Sequence, residues 1–330
     1  MLNKKLKLNL NMFDSDVEQV AIRNGFGDGL LEAANIDANV VGLCADLTES
    51  TRMHLFAQEF PERFIEVGIT EQHMASCASG MAAMGKVPFI SSYAMFNPGR
   101  NWEQIRTTIC YNNVPVKIIG SHAGISVGPD GGTHQAIEDI AITRVIPNIE
   151  VVVPCDSLEA NRATLAIAKS GKPAYLRLAR EKTPIVTTTE TPFEIGKAQI
   201  LYESESPQVA IIAIGPMVHQ SLLAAKELED TGIGSIVINS ATVKPLDSET
   251  ILSVAKRVKG IVTAETHQKV GGLGSAITEL LAQENPITIR RVGIDDVFGQ
   301  SGTPEELMSY YKLGVADIIA EVYNSLNKKF

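Results

Sequence analysis

The sequence predicts two consecutive α/β domains built on mostly parallel sheets. Three observations carry this. Short β-branched runs alternate with helix-like stretches along all 330 residues. The runs are apolar on both faces, as strands are when helices cover both sides of a parallel sheet. The alternation is interrupted once, by a proline- and threonine-rich tract, in a chain long enough for two domains of about 150 residues each.

In the first half, NVVGLCAD (39–46), KVPFISSY (86–93), PVKIIGS (115–121), IEVVVPC (149–155) and PAYLRLA (173–179) read as strands. Helices are expected over 15–36, 70–85, 98–111 and 157–169. The last opens on CDSLEAN, where Asp156 or Ser157 supplies an N-cap and Glu159 lies in the first turn. The tract REKTPIVTTTETPFEIG (180–196) is the linker, which places the domains at 1–185 and 193–330. The second half resumes with strands over 208–215, 234–243, 260–266 and 287–294. Helices over 217–231, 247–258 and 273–283 alternate with them, and two more close the chain.

Composition narrows the function. Hydrophobic residues at 45% and charged residues at 20% are the balance of a globular protein rather than a disordered one. A net charge of −9 without a lysine- or arginine-rich patch argues against nucleic acid and anionic membrane as partners. The basic start MLNKKLKLNLNMF lacks an apolar signal core, and no run reaches transmembrane length, so the expected location is cytoplasmic. Cys44, Cys77, Cys110 and Cys155 are widely spaced without a CxxC pair. They read as buried free thiols, and no metal site is expected in this chain.

Ligands of open parallel sheets gather at the carboxyl ends of the strands. Asp46 ends the first strand, Glu71 follows FIEVG, His122 ends KIIGS and Arg180 ends YLRLA. If the sheet is parallel, these groups converge. A glutamate in the first turn of a helix is also stabilised by the macrodipole, by about 0.3–1 kcal/mol, and many such residues do nothing else. Against that stands the helix behind Glu71, whose Ala75, Ser79 and Ala83 share one face and let another backbone approach. The segment GSHAGISVGPDGGTHQAIED (120–139) is a long glycine-rich loop carrying His122, Asp130 and His134. Imidazoles there can exchange protons near neutrality and bind hydroxyl groups. Their spacing matches no familiar metal pattern, and structural loop histidines are the bland alternative. The glycines at 27–29 and in VGGLGSA (270–276) read as packing and turn glycines rather than a dinucleotide fingerprint.

Six stretches then fall in matching order: VVGLCADLTES, FPERFIEVGITEQHM, GPDGGTHQAIEDIA, SATVKPLD, ETHQKVGGLGSA and RVGIDDVFGQSGTPEELM. Together they resemble the transketolase family of thiamine diphosphate enzymes, from about residue 18 to the C-terminus. The resemblance implies a pyrimidine-binding domain followed by a transketolase C-terminal domain. The family's N-terminal domain, with its Gly-Asp-Gly magnesium site, has no counterpart here. The expectation is therefore the C-terminal subunit of a split transketolase, in an α2β2 assembly with an N-terminal partner. Thiamine diphosphate would be shared between the subunits and Mg2+ held by the partner. The reaction would move a two-carbon ketol unit from a ketose phosphate to an aldose phosphate.

Residue by residue, the resemblance implies that Glu71 hydrogen-bonds N1′ of the aminopyrimidine. Tyr93 and Phe96 would enclose that ring, and Asp46 would lie near the cofactor. His122 and His134 would bind substrate hydroxyls and serve in catalysis. Asp130 would read the acceptor's C2 hydroxyl, while Arg180 and Ser50 would hold the substrate phosphate. Glycine stands at 132 where single-chain enzymes usually have proline, and the third aromatic falls near Gly99 and Arg100, with Trp102 as a substitute. The role of His267 is not implied. Alternatives are the β subunit of a 2-oxo-acid dehydrogenase E1, half of a deoxyxylulose-phosphate synthase, or a catalytically silent partner-binding subunit.

Overall fold

The computed structural model describes residues 1–327. Its first domain contains strands β1 (Gln19–Ala21), β2 (Val40–Cys44), β3 (Phe64–Glu66), β4 (Val87–Tyr93), β5 (Lys117–Ser121), β6 (Glu150–Val152), β7 (Ala174–Arg177) and β8 (Lys182–Pro184). Between them run α1 (Ile22–Ile36), α2 (Met53–Glu59), α3 (Glu71–Ala83), α4 (Trp102–Gln104), α5 (Asp139–Arg144) and α6 (Ser157–Lys169). Six strands pair in parallel in the order β6-β7-β5-β4-β2-β3. β2 and β5 are buried at every position, which is why they read as unbroken apolar runs. Asp156 caps α6, its side chain accepting from Glu159 N–H at 2.8 Å.

Several boundaries differ from expectation for tertiary reasons. The first helix begins at Ile22, not near 15, because residues 19–21 pair with β8 in the supposed linker. The helix expected over 98–111 starts only at Trp102 and continues as a π-helix, Ile105–Cys110. In α1, the glycines answer to packing. A Cβ at Gly25 would lie 1.7 Å from Ser157 O, and one at Gly29 2.8 Å from Asn161 O. Helix α6 sits too close for side chains there.

The second domain contains β9 (Gln199–Glu203), β10 (Pro207–Ala213), β11 (Gly234–Asn239), β12 (Thr242–Lys244), β13 (Gly260–Gln268) and β14 (Thr288–Ile294). Its helices are α7 (Met217–Asp230), α8 (Ser248–Ala255), α9 (Leu273–Glu284), α10 (Pro304–Tyr310) and α11 (Val315–Ser325). The sheet order is β14-β13-β10-β11-β9, parallel except for β9. The run 234–243 is two strands, not one. β11 stays in this sheet, whereas β12 crosses to the first and pairs antiparallel with β6.

That crossing joins the domains. Ile90, Ile118 and Val151 share one apolar cluster with Ile212, Ile236 and Ile251. Helix α5, absent from the helices expected in the sequence, is a polar clamp between the two units. Asp139 receives Arg177 Nε at 2.7 Å and Tyr175 OH at 2.6 Å, and Arg177 Nη2 reaches Thr266 O at 2.9 Å. The N-terminal arm also crosses over. Leu8 and Met12 are buried with Leu201, Met217 and Leu222 of the second domain. No helix among the described residues is long and apolar enough to cross a membrane.

Candidate functional site

Because the six strands are parallel, β2, β3, β5 and β7 all end on one edge. Asp46, Glu71, His122 and Arg180 follow those ends, as expected. They are joined there by a row of rings. The Tyr93 ring stacks on His122 with centroids 3.9 Å apart, and His134 meets Tyr93 at 6.3 Å and Phe96 at 5.5 Å, edge to face.

At one end of the row lies Glu71. It opens α3, where the backbone N–H groups favour a negative charge. Its side chain is 2% exposed, and Oε2 accepts from Arg100 Nη1 at 3.1 Å. The Arg100 guanidinium also lies over the Phe96 ring, 5.0 Å from its centroid. The turn beneath is pinned. Asn101 Nδ2 donates to Glu71 O at 3.2 Å, and Asn97 Nδ2 donates to Ile90 O and Ile119 O at 3.0 Å. The small residues of α3 allow close approach over part of the expected face: Ala75 is fully buried and Ser79 Oγ donates to Thr108 O at 2.7 Å, but Ala83 is exposed, and Ala78 is buried in its stead.

At the other end lies His122, buried and held at a φ of +58°. Arg23 Nη1 is 2.7 Å from its Nε2, and Ser121 Oγ is 2.8 Å from Nδ1. A guanidinium only donates, so Nε2 is the acceptor and the proton sits on Nδ1. Burial, then Arg23 and Arg180, push the imidazole pKa down to about 3. The expectation of a histidine exchanging protons near neutrality therefore fails for His122. It is a neutral ring clamped by its own chain. His134 is half-buried, with Nδ1 2.9 Å from Thr133 Oγ1.

Arg23 is the residue that sequence reasoning missed. It also donates to Ser50 O at 3.1 Å, and its Nε is buried without a partner. Arg52 and Arg180 lie close enough to lower its pKa further after desolvation, against the opposing charge of Glu181. The available signal was position: a cation in the first turn of α1 opposes the macrodipole and needs another reason to be there. Arg180 donates to Val127 O at 2.7 Å and pairs with Glu181 at 3.3 Å.

Asp46 and Asp130 are exposed, and Ser50 is half-buried. Asp46 adopts a φ of +58°, its N–H donating to Glu66 Oε1 at 2.8 Å. Glu66 also accepts from Thr48 Oγ1 at 2.8 Å and Gly68 N–H at 2.9 Å, so it shapes the loop that carries Asp46. The loop around Asp130 is shaped by the second domain. Gly131 has a φ of +75°, and a Cβ there would lie 2.6 Å from Ser301 Oγ. One at Gly132 would lie 2.6 Å from Gly299 O, so the GPDGGTHQ and VFGQSGTP stretches interlock.

Other assignments change. Trp102 does not join the row of rings: its indole donates to Ile142 O at 2.7 Å and packs against the core. His267 is buried between Ala141 N–H, which donates to Nε2 at 3.3 Å, and Gln268 O, 2.8 Å from Nδ1. It ties α5 to the second domain. Of the glycines of 270–276, Gly271 packs against Ala141, Gly274 against Thr263 and Arg291, and Gly272 against buried Glu265, which accepts from Leu273 N–H at 2.7 Å and Gly274 N–H at 2.9 Å. Cys44, Cys110 and Cys155 are buried free thiols, whereas Cys77 is half-buried on α3. Among the described residues, no group of three or more His, Cys, Asp or Glu could hold a metal ion.

Comparison with known proteins agrees with this architecture. The transketolase pyrimidine-binding domain family matches residues 18–186, and the transketolase C-terminal domain family matches 196–318. The chain belongs to the transketolase family, and its pyrimidine-binding domain places it among the thiamine diphosphate enzymes. A Methanocaldococcus jannaschii protein, whose name assigns it to the C-terminal section of a transketolase, is 42% identical over 311 residues. That match covers 93% of this chain and 97% of the relative. The 6-deoxy-6-sulfo-D-fructose transketolase subunit SqwH of Clostridium sp. (strain MSTE9) is 38% identical, over 96% of this chain and 98% of the relative. A solved split-gene transketolase, described as an inactive β4 tetramer, superposes with a TM-score of 0.87 at 41% identity. It covers 94% of this chain and 100% of that one.

Proposed function

We propose that this chain is the C-terminal subunit of a split transketolase, moving a two-carbon ketol unit from a ketose phosphate to an aldose phosphate. One observation carries the reading: a buried carboxylate and an arginine cluster stand at the two ends of a single row of rings, on the carboxyl edge of one sheet. A planar polar group already lies against Glu71 and Phe96, in the form of Arg100, so the pair suits a flat heteroaromatic ring such as an aminopyrimidine. Glu71 would hold N1′, Tyr93 and Phe96 would face the ring, and Asp46 would lie beside the cofactor. Thiamine diphosphate, when bound, supplies the electron sink for the two-carbon unit. Its diphosphate and Mg2+ would sit on an N-terminal partner subunit, in a cytoplasmic α2β2 assembly. The residues 1–185 and 193–330 would be the pyrimidine-binding and C-terminal domains, with the N-terminal arm reaching across.

His134 and Asp130 would orient sugar hydroxyls, and His122, whose two ring nitrogens meet Arg23 and Ser121, would bind one by exchanging one of those contacts. Arg180 and Ser50, with Arg23, would hold the phosphate. Three guanidiniums, those of Arg23, Arg52 and Arg180, act against the carboxylate of Glu181. That surplus of positive charge suits a dianion and favours phosphate over a singly charged sulfonate such as the SqwH relative's substrate.

The test is to assay the chain alone and after co-expression with its partner. Ketol transfer is expected only from the complex, as the inactive β4 relative suggests. Robust turnover by the single chain would sink the split reading. Activity on a 2-oxo acid with a lipoyl acceptor, and none with any aldose, would assign the dehydrogenase alternative. A stable complex without turnover on any donor would leave a silent subunit.

A further inference from the structure

Glu71 and Arg100 make a contact for which the proposed reaction has no use. The carboxylate is 2% exposed and the arginine side chain 49% exposed, yet they meet at 3.1 Å. The guanidinium is planar and delocalised, and it lies 5.0 Å from the Phe96 centroid while donating to Glu71. A flat face against Phe96 and a polar edge toward Glu71 are also what an aminopyrimidine would present, its N1′ lone pair sharing a proton with the carboxyl group. Both groups would compete for the same ring and the same carboxylate oxygen.

The backbone around Arg100 permits exchange. Asn101 Nδ2 donates to Asn97 Oδ1 at 2.9 Å and to Glu71 O at 3.2 Å, and Arg100 N–H donates to Phe96 O at 2.9 Å. The turn is fixed while the long side chain reaches water, so it can swing out without moving the loop.

We propose that Arg100 is a further residue of the cofactor site: its guanidinium fills the aminopyrimidine's place in the free chain, and the pyrimidine binds by displacing it into solvent. A buried carboxylate needs a partner in either state, because an unpaired one is costly. Exchanging the guanidinium for the ring, with one proton taken up from solvent and shared between Glu71 and N1′, keeps Glu71 paired throughout. The proposal rests on the pyrimidine role assigned to Glu71 above.

The experiment titrates thiamine, which lacks the diphosphate and reads the pyrimidine side alone, into the isolated full chain by calorimetry. Arg100→Ala is expected to bind thiamine about 2- to 10-fold tighter than the unaltered chain, the scale of losing competition from a half-exposed ion pair. Glu71→Gln is expected to weaken binding. Equal or weaker binding by Arg100→Ala overturns the proposal, as does Glu71→Gln without effect. No thiamine bound by any of the three chains at millimolar concentration overturns it too. The activity is judged separately, by turnover of the reconstituted complex. A complex that turns over, with an Arg100→Ala chain that binds thiamine no tighter, loses only this proposal.

Discussion

Arg23 and His122 share a 2.7 Å contact that fixes the tautomer of the imidazole. The guanidinium takes the Nε2 lone pair, Ser121 Oγ faces Nδ1 at 2.8 Å, and Tyr93 covers the ring. With a folded pKa of about 3 against roughly 6.5 unfolded, the native chain binds fewer protons here than the unfolded one. Stability from this site is therefore fully present above about pH 6.5 and is lost as pH falls toward the folded pKa, by up to about 1.4 kcal/mol per pH unit. Imidazole nitrogen shifts at pH 5 should report a neutral ring with its proton on Nδ1. Arg23→Met should raise the pKa only in part, because burial is the larger cause. A charged His122 at pH 5 in the unaltered chain would refute the assignment.

Replacing Glu71 with alanine should cut turnover of the reconstituted complex by about 10²–10⁴-fold, the usual loss for a positioned proton-transfer group. Stability should change little. The macrodipole contribution is about 0.3–1 kcal/mol, and the Arg100 partner is half-exposed and screened by water. Kinetics and chemical denaturation of the same variant separate the two effects. Near-normal activity would return Glu71 to the role of a charge in the first turn of the helix.

The domain clamp predicts the opposite pattern. Arg177 and Asp139 are 3% and 1% exposed, so Arg177→Met leaves Asp139 buried without its cation. Such a break typically costs about 3–5 kcal/mol. Arg177→Met with Asp139→Asn should recover part of that loss, because no uncompensated charge remains. Denaturation midpoints of the single and double variants check this, and equal midpoints would mean that the pair couples weakly.

Most strands of both sheets were legible because burial on two faces leaves continuous apolar runs, and parallel order followed from the helices between them; the edge strands β3 and β9, only partly buried, were not. Convergence of Asp46, Glu71, His122 and Arg180 at one edge followed from that geometry. What was not legible depends on partners distant in sequence. Helix α5 was not legible because its six residues are too short to show periodicity, and its Asp139 is held by Arg177. β12 was hidden at the end of an apolar run that changes sheets. Trp102 looked available to the site, but a carbonyl 40 positions away turns it inward. Arg23 and Arg100 carried weak local signals, and their meaning appears only when His122 and Glu71 are placed beside them.

Arg180 separates sugar-phosphate transfer from 2-oxo-acid chemistry, and the geometry adds a control. Its Nη1 donates to Val127 O at 2.7 Å, so Arg180→Ala removes both a guanidinium at the anion end and one tie to the glycine-rich loop. A hydrogen bond to a charged group contributes about 1.5–3 kcal/mol, which predicts roughly 10- to 100-fold weaker use of phosphorylated substrates. The loss should appear mainly in KM, because a phosphate remote from the reacting carbonyl is held alike in ground and transition states. Hydroxypyruvate, which has no phosphate, should be affected much less. Arg23→Ala should show the same selectivity, whereas loosening of the loop alone would impair both donors. Arg180→Lys keeps a charge but loses the planar fork, and it should recover part of the phosphate preference. The kinetics of the reconstituted variants on a ketose phosphate and on hydroxypyruvate decide the matter. Equal loss on both donors would assign Arg180 to loop support, not to the phosphate.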